Sequence, residues 1–312
     1  MGGLGVIRFL AKRLIWMAIT LWVVFTVSFF LMWKVSPEGA LLSERQLPEA
    51  IKRNLEVYYG LDRPLEERYV RTMGNYMQLD PGPSMKLIDK SVLEIISEGL
   101  PISISLGILG LSFAMLIGFT TGIVSALRRQ TLIDVTFRTI ATLGIAVPNF
   151  VLAGFAIIIF VFGLQWFPAA GWGRPIDLVL PSLCLSAPFA AYISRLTRTG
   201  MLEVLGQDYI RTAYAKGLMP TTVVLKHAFR GAILPVVSYL GPATAGILTG
   251  SLVLERIFFI PGLGSHFIEA VQQKDHPVSL AVVMIYTFLL FSMNTLVDLS
   301  YGLIDPRVKL DK

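Results

Sequence analysis

The chain has 312 residues, of which 54% are hydrophobic and only 15% are charged. Soluble domains carry about 25% charged residues, so this composition indicates a membrane protein. The formal net charge is +6, which we attribute to the distribution of Lys and Arg across a membrane and not to nucleic-acid binding. A single cysteine, Cys184, excludes a disulfide framework and a multi-cysteine metal site.

Motifs for nucleotide binding and hydrolysis are absent from the sequence. It contains no GxxxxGK[ST], HExxH or GxSxG pattern, so it predicts neither an ATP site nor a hydrolase site in this chain. The three histidines have no spacing that favours a metal role. We therefore expect no catalytic residue, no metal and no cofactor in the chain itself.

Apolar runs long enough to cross a bilayer, which takes about 20 residues, recur along the chain. The first follows a short basic leader and lacks a signal-peptide cleavage site, which predicts an uncleaved span. A first span with a long polar loop forms residues 1–98, a core of five spans forms 99–302, and a tail covers 303–312. The predicted fold is an all-α integral membrane protein with six transmembrane helices, at about 14–34, 100–127, 138–164, 178–197, 233–254 and 278–300.

Lys and Arg are unevenly distributed between the segments that connect these spans. If the N-terminus is cytoplasmic, the inner segments hold most of them, whereas the short outer loops hold only Arg174, Arg256 and Lys274. Positively charged residues favour the cytoplasmic side. The sequence therefore predicts that both termini, and the 303–312 tail, are cytoplasmic.

The loop after the first span is charged and proline-containing, and it is too polar to cross a membrane. Ile51–Tyr59 and Leu65–Met77 have the spacing of short amphipathic helices. The sequence therefore predicts a folded loop over residues 36–98.

Small residues recur at every fourth position of the second span. This spacing places them on one helix face, where they let another backbone approach closely. The alternative is that glycine and alanine are simply common in membrane helices. The predicted packing stripe consists of Gly110, Ala114, Gly118 and Gly122.

Prolines interrupt three consecutive spans, which predicts bent helices. Membrane bundles tolerate such bends where neighbours or a cavity satisfy the freed backbone groups. Pro148 and Asn149, near the middle of the third span, are therefore candidate pathway residues. Bundle geometry without a pathway, with Asn149 in a helix–helix hydrogen bond, is the alternative. No charged residue lies at the centre of a predicted span, which argues against ion-coupled transport.

The most polar stretch of the second half, Gln207–Pro235, lies between the fourth and fifth spans. Asp208 is a typical N-cap for a helix over Tyr209–Lys216. Gly217 readily adopts the left-handed conformation that ends helices, and Pro220 favours the first turn of a second helix. The flanking spans disfavour a DNA-binding helix-turn-helix, while a solvated loop or contact with anionic headgroups stays open.

This stretch resembles the EAA loop of ABC-transporter permeases, where E-A-A-x-x-x-G forms a coupling helix. Arg211, Thr212, Ala213 and Gly217 are the matching residues, with Arg and Thr in place of Glu and Ala. These departures, and the longer gap to Pro235, resemble the dipeptide/oligopeptide permease branch. Other stretches similar to that branch are GLDRP at Gly60–Pro64, ERIFFIPGLG at Glu255–Gly264, KDHPV at Lys274–Val278 and LVDLSYGLIDPRV at Leu296–Val308.

The resemblance implies the type I ABC importer permease fold in the prokaryotic cytoplasmic membrane. It implies the first of two related permeases, which form a heterodimer and together a pathway for di- or oligopeptides. Two cytoplasmic ABC ATPases, which bind ATP and Mg, and an extracytoplasmic substrate-binding protein complete the implied assembly. The same machinery could import glutathione, nickel chelates or another peptide-like solute. The alternatives from other classes are a secondary transporter and a membrane protein without transport activity.

The resemblance also implies roles for individual residues. Phe258, Pro261, Gly262 and Gly264, in the outer loop before the sixth span, are candidate contacts for the binding protein, with a plain structural turn as the alternative. Within the cytoplasmic stretch, the residues expected to couple to an ATPase are Asp208, Arg211, Thr212, Ala213, Ala215, Lys216 and Gly217.

Overall fold

The computed structural model describes residues 3–37, 49–87 and 89–304. Every regular element that these residues form is a helix, apart from an isolated bridge between Pro83 and Ser91. The helices are α1 Gly3–Val35, α2 Glu49–Tyr59, α3 Leu65–Met77, α4 Val92–Leu127, α5 Leu132–Ala146, α6 Asn149–Gly163, α7 Pro175–Leu205, α8 Asp208–Ala215, α9 Pro220–Ala232, α10 Leu234–Ile257, α11 Leu263–Gln272 and α12 His276–Ile304.

Four of the helices in the described part of the chain, α1, α4, α7 and α12, are long and apolar enough to cross a membrane. Two further pairs meet the same criterion only together: α5 with α6, bent by 111°, and α9 with α10, bent by 58°. The number of spans is therefore four to six. The six predicted from the sequence correspond to counting each bent pair as one span.

The third predicted span, 138–164, consists of two helices that meet at a sharp break, where the sequence predicts one bent helix. α5 ends at Ala146, and α6 begins at Asn149 in a direction 111° away. Val147 is extended with ψ 125°, as steric contact with a following proline requires. Pro148 lacks the N–H that would continue α5. Together these residues break the helix completely.

The boundaries of α4 differ from the predicted 100–127 at the N-terminal end. α4 begins at Val92, because Ser91 and Glu94 form a capping box. The Ser91 N–H donates to Glu94 Oε2 at 2.8 Å, and the Glu94 N–H donates to Ser91 Oγ at 3.2 Å. The first turns of α4 contain acidic residues, so a prediction based on apolar runs does not include them.

The helices divide between two compact units, and α4 and α12 contribute to both. The first unit contains the described parts of Met1–Ile104 and Phe259–Ser292. Aromatic residues of α1 form its core, packed against α3 and the start of α12. The fully or nearly fully buried members are Phe25, Phe29, Trp33, Tyr59, Met85 and Leu280.

Two tyrosines, the buried Tyr59 and the half-buried Tyr76, add hydrogen bonds to this core. Burial raises the pKa of both hydroxyls, and the carboxylate of Asp275 raises it further. Both therefore stay protonated and donate. Tyr59 donates to the carbonyl of Pro83, and Tyr76 donates to the carbonyl of Pro277 at 3.0 Å.

Asp275 caps α12 and ties it to the loop before α4. Its carboxylate accepts hydrogen bonds from the Ser84 hydroxyl and from the N–H groups of Met85 at 3.3 Å and Lys86 at 3.2 Å. The Val278 N–H, in the first turn of α12, donates at 3.4 Å. Side-chain capping of this kind satisfies donors that a helix N-terminus leaves free.

The second unit contains Ser105–Phe258 and the described part of Met293–Lys309, and α7 lies at its centre. The small-residue face of α4 lies against α7. A Cβ added to Gly118 would lie 2.6 Å from Ile193 Cγ2, and one added to Gly122 would lie 2.7 Å from the Ser194 carbonyl oxygen. Ala114 is fully buried in the same contact. Only residues without larger side chains permit this approach.

Candidate functional site

The polar segment between α7 and α10 begins with the two-turn helix α8. Gln207, with ψ 152°, is the N-cap, and Asp208 is the first helical residue. The prediction that Asp208 is the N-cap is therefore wrong by one position. Its side chain is 96% exposed and lies 3.6 Å from Arg211. An acidic residue in the first turn still favours the helix through its dipole.

Gly217 ends this helix in the left-handed conformation, with φ +76°, as the sequence predicts. The Gly217 N–H donates to the Tyr214 carbonyl at 2.9 Å, and the Leu218 N–H donates to the Ala213 carbonyl at 3.3 Å. These two bonds form a Schellman motif, which reverses the chain sharply. Pro220 then starts α9 at its first position.

One face of α8 is buried within the chain. Ile210 is 1% exposed and Ala213 is 7% exposed. The Ala213 methyl group therefore faces inward, and its contact with a partner stays a prediction. Ile210 and Ala213 pack against apolar residues of α7, α9 and the end of α4. These residues are Ala126, Met201, Val204, Val223, Val224, Ala228 and Ala232.

The opposite side of the segment is open. Arg211 is 76% exposed by its side chain, and Thr212, Ala215 and Lys216 are exposed too. Three apolar residues around the glycine turn, Tyr214, Leu218 and Met219, are also exposed. We call Tyr214–Met219 the exposed turn. Sequence reasoning missed these apolar residues, although the position of Leu218 and Met219 beside a glycine and between two helices was a usable signal.

Close backbone contact joins the segment to α7. A Cβ added to Gly200 of α7 would lie 2.6 Å from the carbonyl oxygen of Ala232 in α9. One added to Gly231 would lie 3.3 Å from the Tyr209 hydroxyl and from Val204 Cγ2. α9 is π-helical over Val223–Ala228. The segment is thus packed on α7 along both of its helices.

A buried ionic cluster lies at the neighbouring ends of α4, α5 and α7. The Arg198 guanidinium donates to both carboxylate oxygens of Asp134, from Nε at 2.8 Å and from Nη2 at 2.9 Å. The Ser125 hydroxyl donates at 2.5 Å, and the Gln130 N–H at 2.9 Å. Arg138 lies farther away, at 3.5 Å. We call these residues the Asp134 cluster; bidentate arginine–carboxylate pairs are among the strongest charged hydrogen bonds.

The candidate pathway residues lie at the break between α5 and α6. Pro148 is exposed, and Asn149 is half-buried as the first residue of α6. Neither lines the cavity of about 190 Å³ that α4, α5 and α7 enclose. That cavity combines small side chains with hydroxyl groups, and its lining includes Thr121, Ala141, Gly144, Ser186, Ala187 and Ser194.

The candidate binding-protein contacts are mostly inside the chain. Phe258, Gly262 and Gly264 are buried, whereas Pro261 is exposed. Gly262 is the N-cap of α11, a helix that sequence reasoning missed. Within the first unit, the Leu263 N–H donates to Ser103 Oγ at 2.9 Å. Within Phe258–Gly264, the side chains that are exposed and open to a partner are those of Phe259 and Pro261.

The apolar helices define a multi-pass membrane protein, and a structured polar segment connects α7 to α10. The family described as "Binding-protein-dependent transport system inner membrane component" matches residues 118–310. The chain belongs to this family. It is accordingly a transport component of the cytoplasmic membrane.

Curated relatives align over nearly the whole chain. The dipeptide transport system permease protein DppB of Bacillus subtilis (strain 168) is 45% identical over 305 residues, which cover 98% of this chain and 99% of the relative. The oligopeptide transport system permease protein OppB of Haemophilus influenzae is 38% identical, covering 97% and 99%. The dipeptide permease DppB of Lactococcus lactis subsp. cremoris is 35% identical, covering 97% and 100%.

Proposed function

We propose that this chain is the permease subunit of an ATP-driven importer of di- or oligopeptides. Full-length similarity to permeases named for dipeptide and oligopeptide transport supports the substrate class. The observation that carries the ATP-driven mechanism is the exposed turn. Its apolar side chains stand out from a segment whose other face is buried against α7. Exposed apolar groups beside basic ones are typical of a protein-docking surface.

In this mechanism the ATPase moves the segment as one body. α8 has no independent core, since its buried residues pack on α7 and α9. The contact between Gly200 and Ala232 leaves no room for sliding. A force on the exposed turn is therefore transmitted to the ends of α7 and α10. Energy supplied in the cytoplasm then changes the side of the membrane to which the pathway opens.

The proposed assembly contains a second, related permease, two ABC ATPases and an extracytoplasmic substrate-binding protein. The ATPases would bind and hydrolyse ATP with Mg. Large parts of the chain's apolar surface stay open, including Leu132, Ile140 and Leu143 on α5. We assign such surfaces to lipid or to the second permease. With the N-terminus cytoplasmic, α2 and α3 face outward and are available to the binding protein.

Substitutions at Gly217 test the docking role. Gly217→Leu leaves the chain length unchanged but forces a branched residue into the left-handed region of backbone conformation. This costs about 1–2 kcal/mol. A Cβ at Gly217 would meet nothing within 4 Å, so the folded core is untouched. We expect normal membrane insertion and loss of ATP-dependent dipeptide uptake in cells that carry the complete transport system.

Gly217→Asn is the matched control, because asparagine tolerates the left-handed conformation. It should retain most of the uptake. We would measure the uptake of labelled dipeptide together with the amount of membrane-inserted protein. The two measurements distinguish a loss of coupling from a loss of insertion. Normal uptake by Gly217→Leu would contradict the coupling role. Uptake that persists after removal of the ATPase subunits would contradict ATP-driven import itself.

A further inference from the structure

A second cavity, of about 340 Å³, lies at the N-terminal end of α1, far along the chain from the segment described above. Five of its lining residues belong to α1 and one to α12, within the same compact unit. The lining consists of Phe9, Lys12, Arg13, Trp16, Thr20 and Phe291.

The α1 residues of this cavity follow helical spacing. Phe9, Arg13, Trp16 and Thr20 recur every three or four positions, so they share one face. At about 1.5 Å per residue, the face extends about 16 Å from Phe9 to Thr20. Both cations lie toward its outer end, and an apolar wall continues into the membrane-spanning part of α1.

Charge in the cavity has one sign. Lys12 and Arg13 line it, and no carboxylate is among the described residues that do so. The Arg13 guanidinium stands over the Phe9 ring at 5.3 Å, a cation–π contact that orients it. An anion entering here would meet two cationic donors, of which Arg13 is held over an aromatic ring.

We propose that this cavity binds the phosphodiester headgroup of an anionic phospholipid, in the leaflet at the N-terminal end of α1. Lys12 and Arg13 would bind the phosphate, and one acyl chain would lie along Trp16 and Phe291. Basic pockets between membrane helices recognise anionic headgroups through such pairs.

The wall below the cations favours a lipid over a free phosphate. Only 11% of the apolar window of α1 is buried within the chain, and 17% of that of α12, so both helices leave apolar surface open to an acyl chain. Trp16 remains 53% exposed beside the two cations. A soluble anion would use only the outer end of the face, whereas a phospholipid would use its full length. The bound lipid would bridge α1 and α12.

Native mass spectrometry of the full-length chain in detergent tests this site. With equal amounts of phosphatidylglycerol and phosphatidylcholine, the first bound lipid should be mainly phosphatidylglycerol. The double variant Lys12→Gln/Arg13→Gln should lower this preference about thirtyfold, as expected from losing two cations near a headgroup. Arg128→Gln/Arg129→Gln removes two exposed cations elsewhere and should leave the preference unchanged.

Two further measurements separate the alternatives. Trp16→Ala should weaken phosphatidylglycerol binding while the chain keeps its size-exclusion profile, because the acyl wall is shortened. Inorganic phosphate at millimolar concentration should not displace the lipid. Equal loss of preference in both double variants would overturn the proposal in favour of non-specific charge attraction. Full displacement by inorganic phosphate would overturn it in favour of a free-anion site.

Discussion

Asp134 of α5 is fully buried, and its carboxylate contacts residues of α4 and α7. A buried carboxylate is tolerated where it is paired and its remaining lone pairs accept hydrogen bonds. Here Arg198, Ser125 and the Gln130 N–H meet that requirement. Gln130 itself adopts φ +63°, a conformation that is uncommon for residues other than glycine. The Asp134 cluster thus holds the turn between α4 and α5 to α7.

Two arginines contact the same carboxylate, which allows a matched comparison of their contributions. Arg198 is 19% exposed and bidentate, whereas Arg138 is 53% exposed and lies 3.5 Å away. Arg198→Ala should destabilise the chain by about 3–5 kcal/mol, because it leaves a buried charge unpaired. Arg138→Ala should cost about 0–1 kcal/mol, as exposed ion pairs do. Denaturant unfolding in detergent would measure both, and equal effects would contradict the assigned geometry.

The sequence contains every residue of this cluster, but it does not predict that these residues are in contact. Arg138 and Arg198 entered the prediction only as inner positive charges, and Asp134 did not enter it. Arg198 and Asp134 are 64 positions apart, so no local spacing connects them. Pairing of this kind depends on how α5 packs on α7, which the sequence pattern does not determine.

At the scale of helices, the contact between α4 and α7 sets how closely the bundle packs. A Cβ at Gly118 would meet a backbone carbonyl, that of Ala190, at 2.9 Å. A Cβ at Gly110 would meet the flexible end of Leu185 at 3.2 Å. The two glycines lie on the same face of α4, but only one of them faces an obstacle that cannot rotate away.

Alanine at each glycine tests this difference. Gly118→Ala should destabilise the chain by about 1–3 kcal/mol, the usual cost of overpacking. Gly110→Ala should be near neutral, because alanine favours the helix and Leu185 can adjust. Thermal unfolding of the two purified variants provides the comparison. A larger effect at Gly110 would show that the stripe does not face α7 in this way.

Helices with a clear apolar period were predictable, and those defined by other signals were not. α3 matches the predicted Leu65–Met77, and α2 extends the predicted Ile51–Tyr59 to Glu49. In contrast, α11 is a ten-residue helix in a loop for which the sequence predicts only a turn or a contact surface. The polar segment 207–235 forms the predicted helices and glycine turn, but the inward face of Ala213 depends on the tertiary contact with α7. Burial on a helix of this length cannot be deduced from its own residues.

For the whole molecule, the orientation in the membrane is the prediction with the most consequences. The native Cys184 is 6% exposed and should not react with thiol reagents in the folded chain. It therefore allows single cysteines to be placed elsewhere. Glu67 on α3 and Arg211 on α8 have side chains that are 59% and 76% exposed, and the sequence puts them on opposite sides.

A membrane-impermeant maleimide applied to spheroplasts should label Glu67→Cys at once. Arg211→Cys should be labelled only after the membrane is permeabilised. The unsubstituted chain, with Cys184 alone, should stay unlabelled in both conditions. The reverse pattern would place the exposed turn outside the cell and end its assignment as an ATPase dock.

The break at Pro148 has a consequence for hydration. A helix that ends leaves its last carbonyls without partners inside the helix. If α5 and α6 together form one span or a re-entrant loop, those carbonyls lie at membrane depth, where lipid tails offer no donor. Backbone of this kind persists only where protein or water solvates it. The region around Val147 should therefore be wet, and exchange of its amide hydrogens should be fast for a residue at that depth.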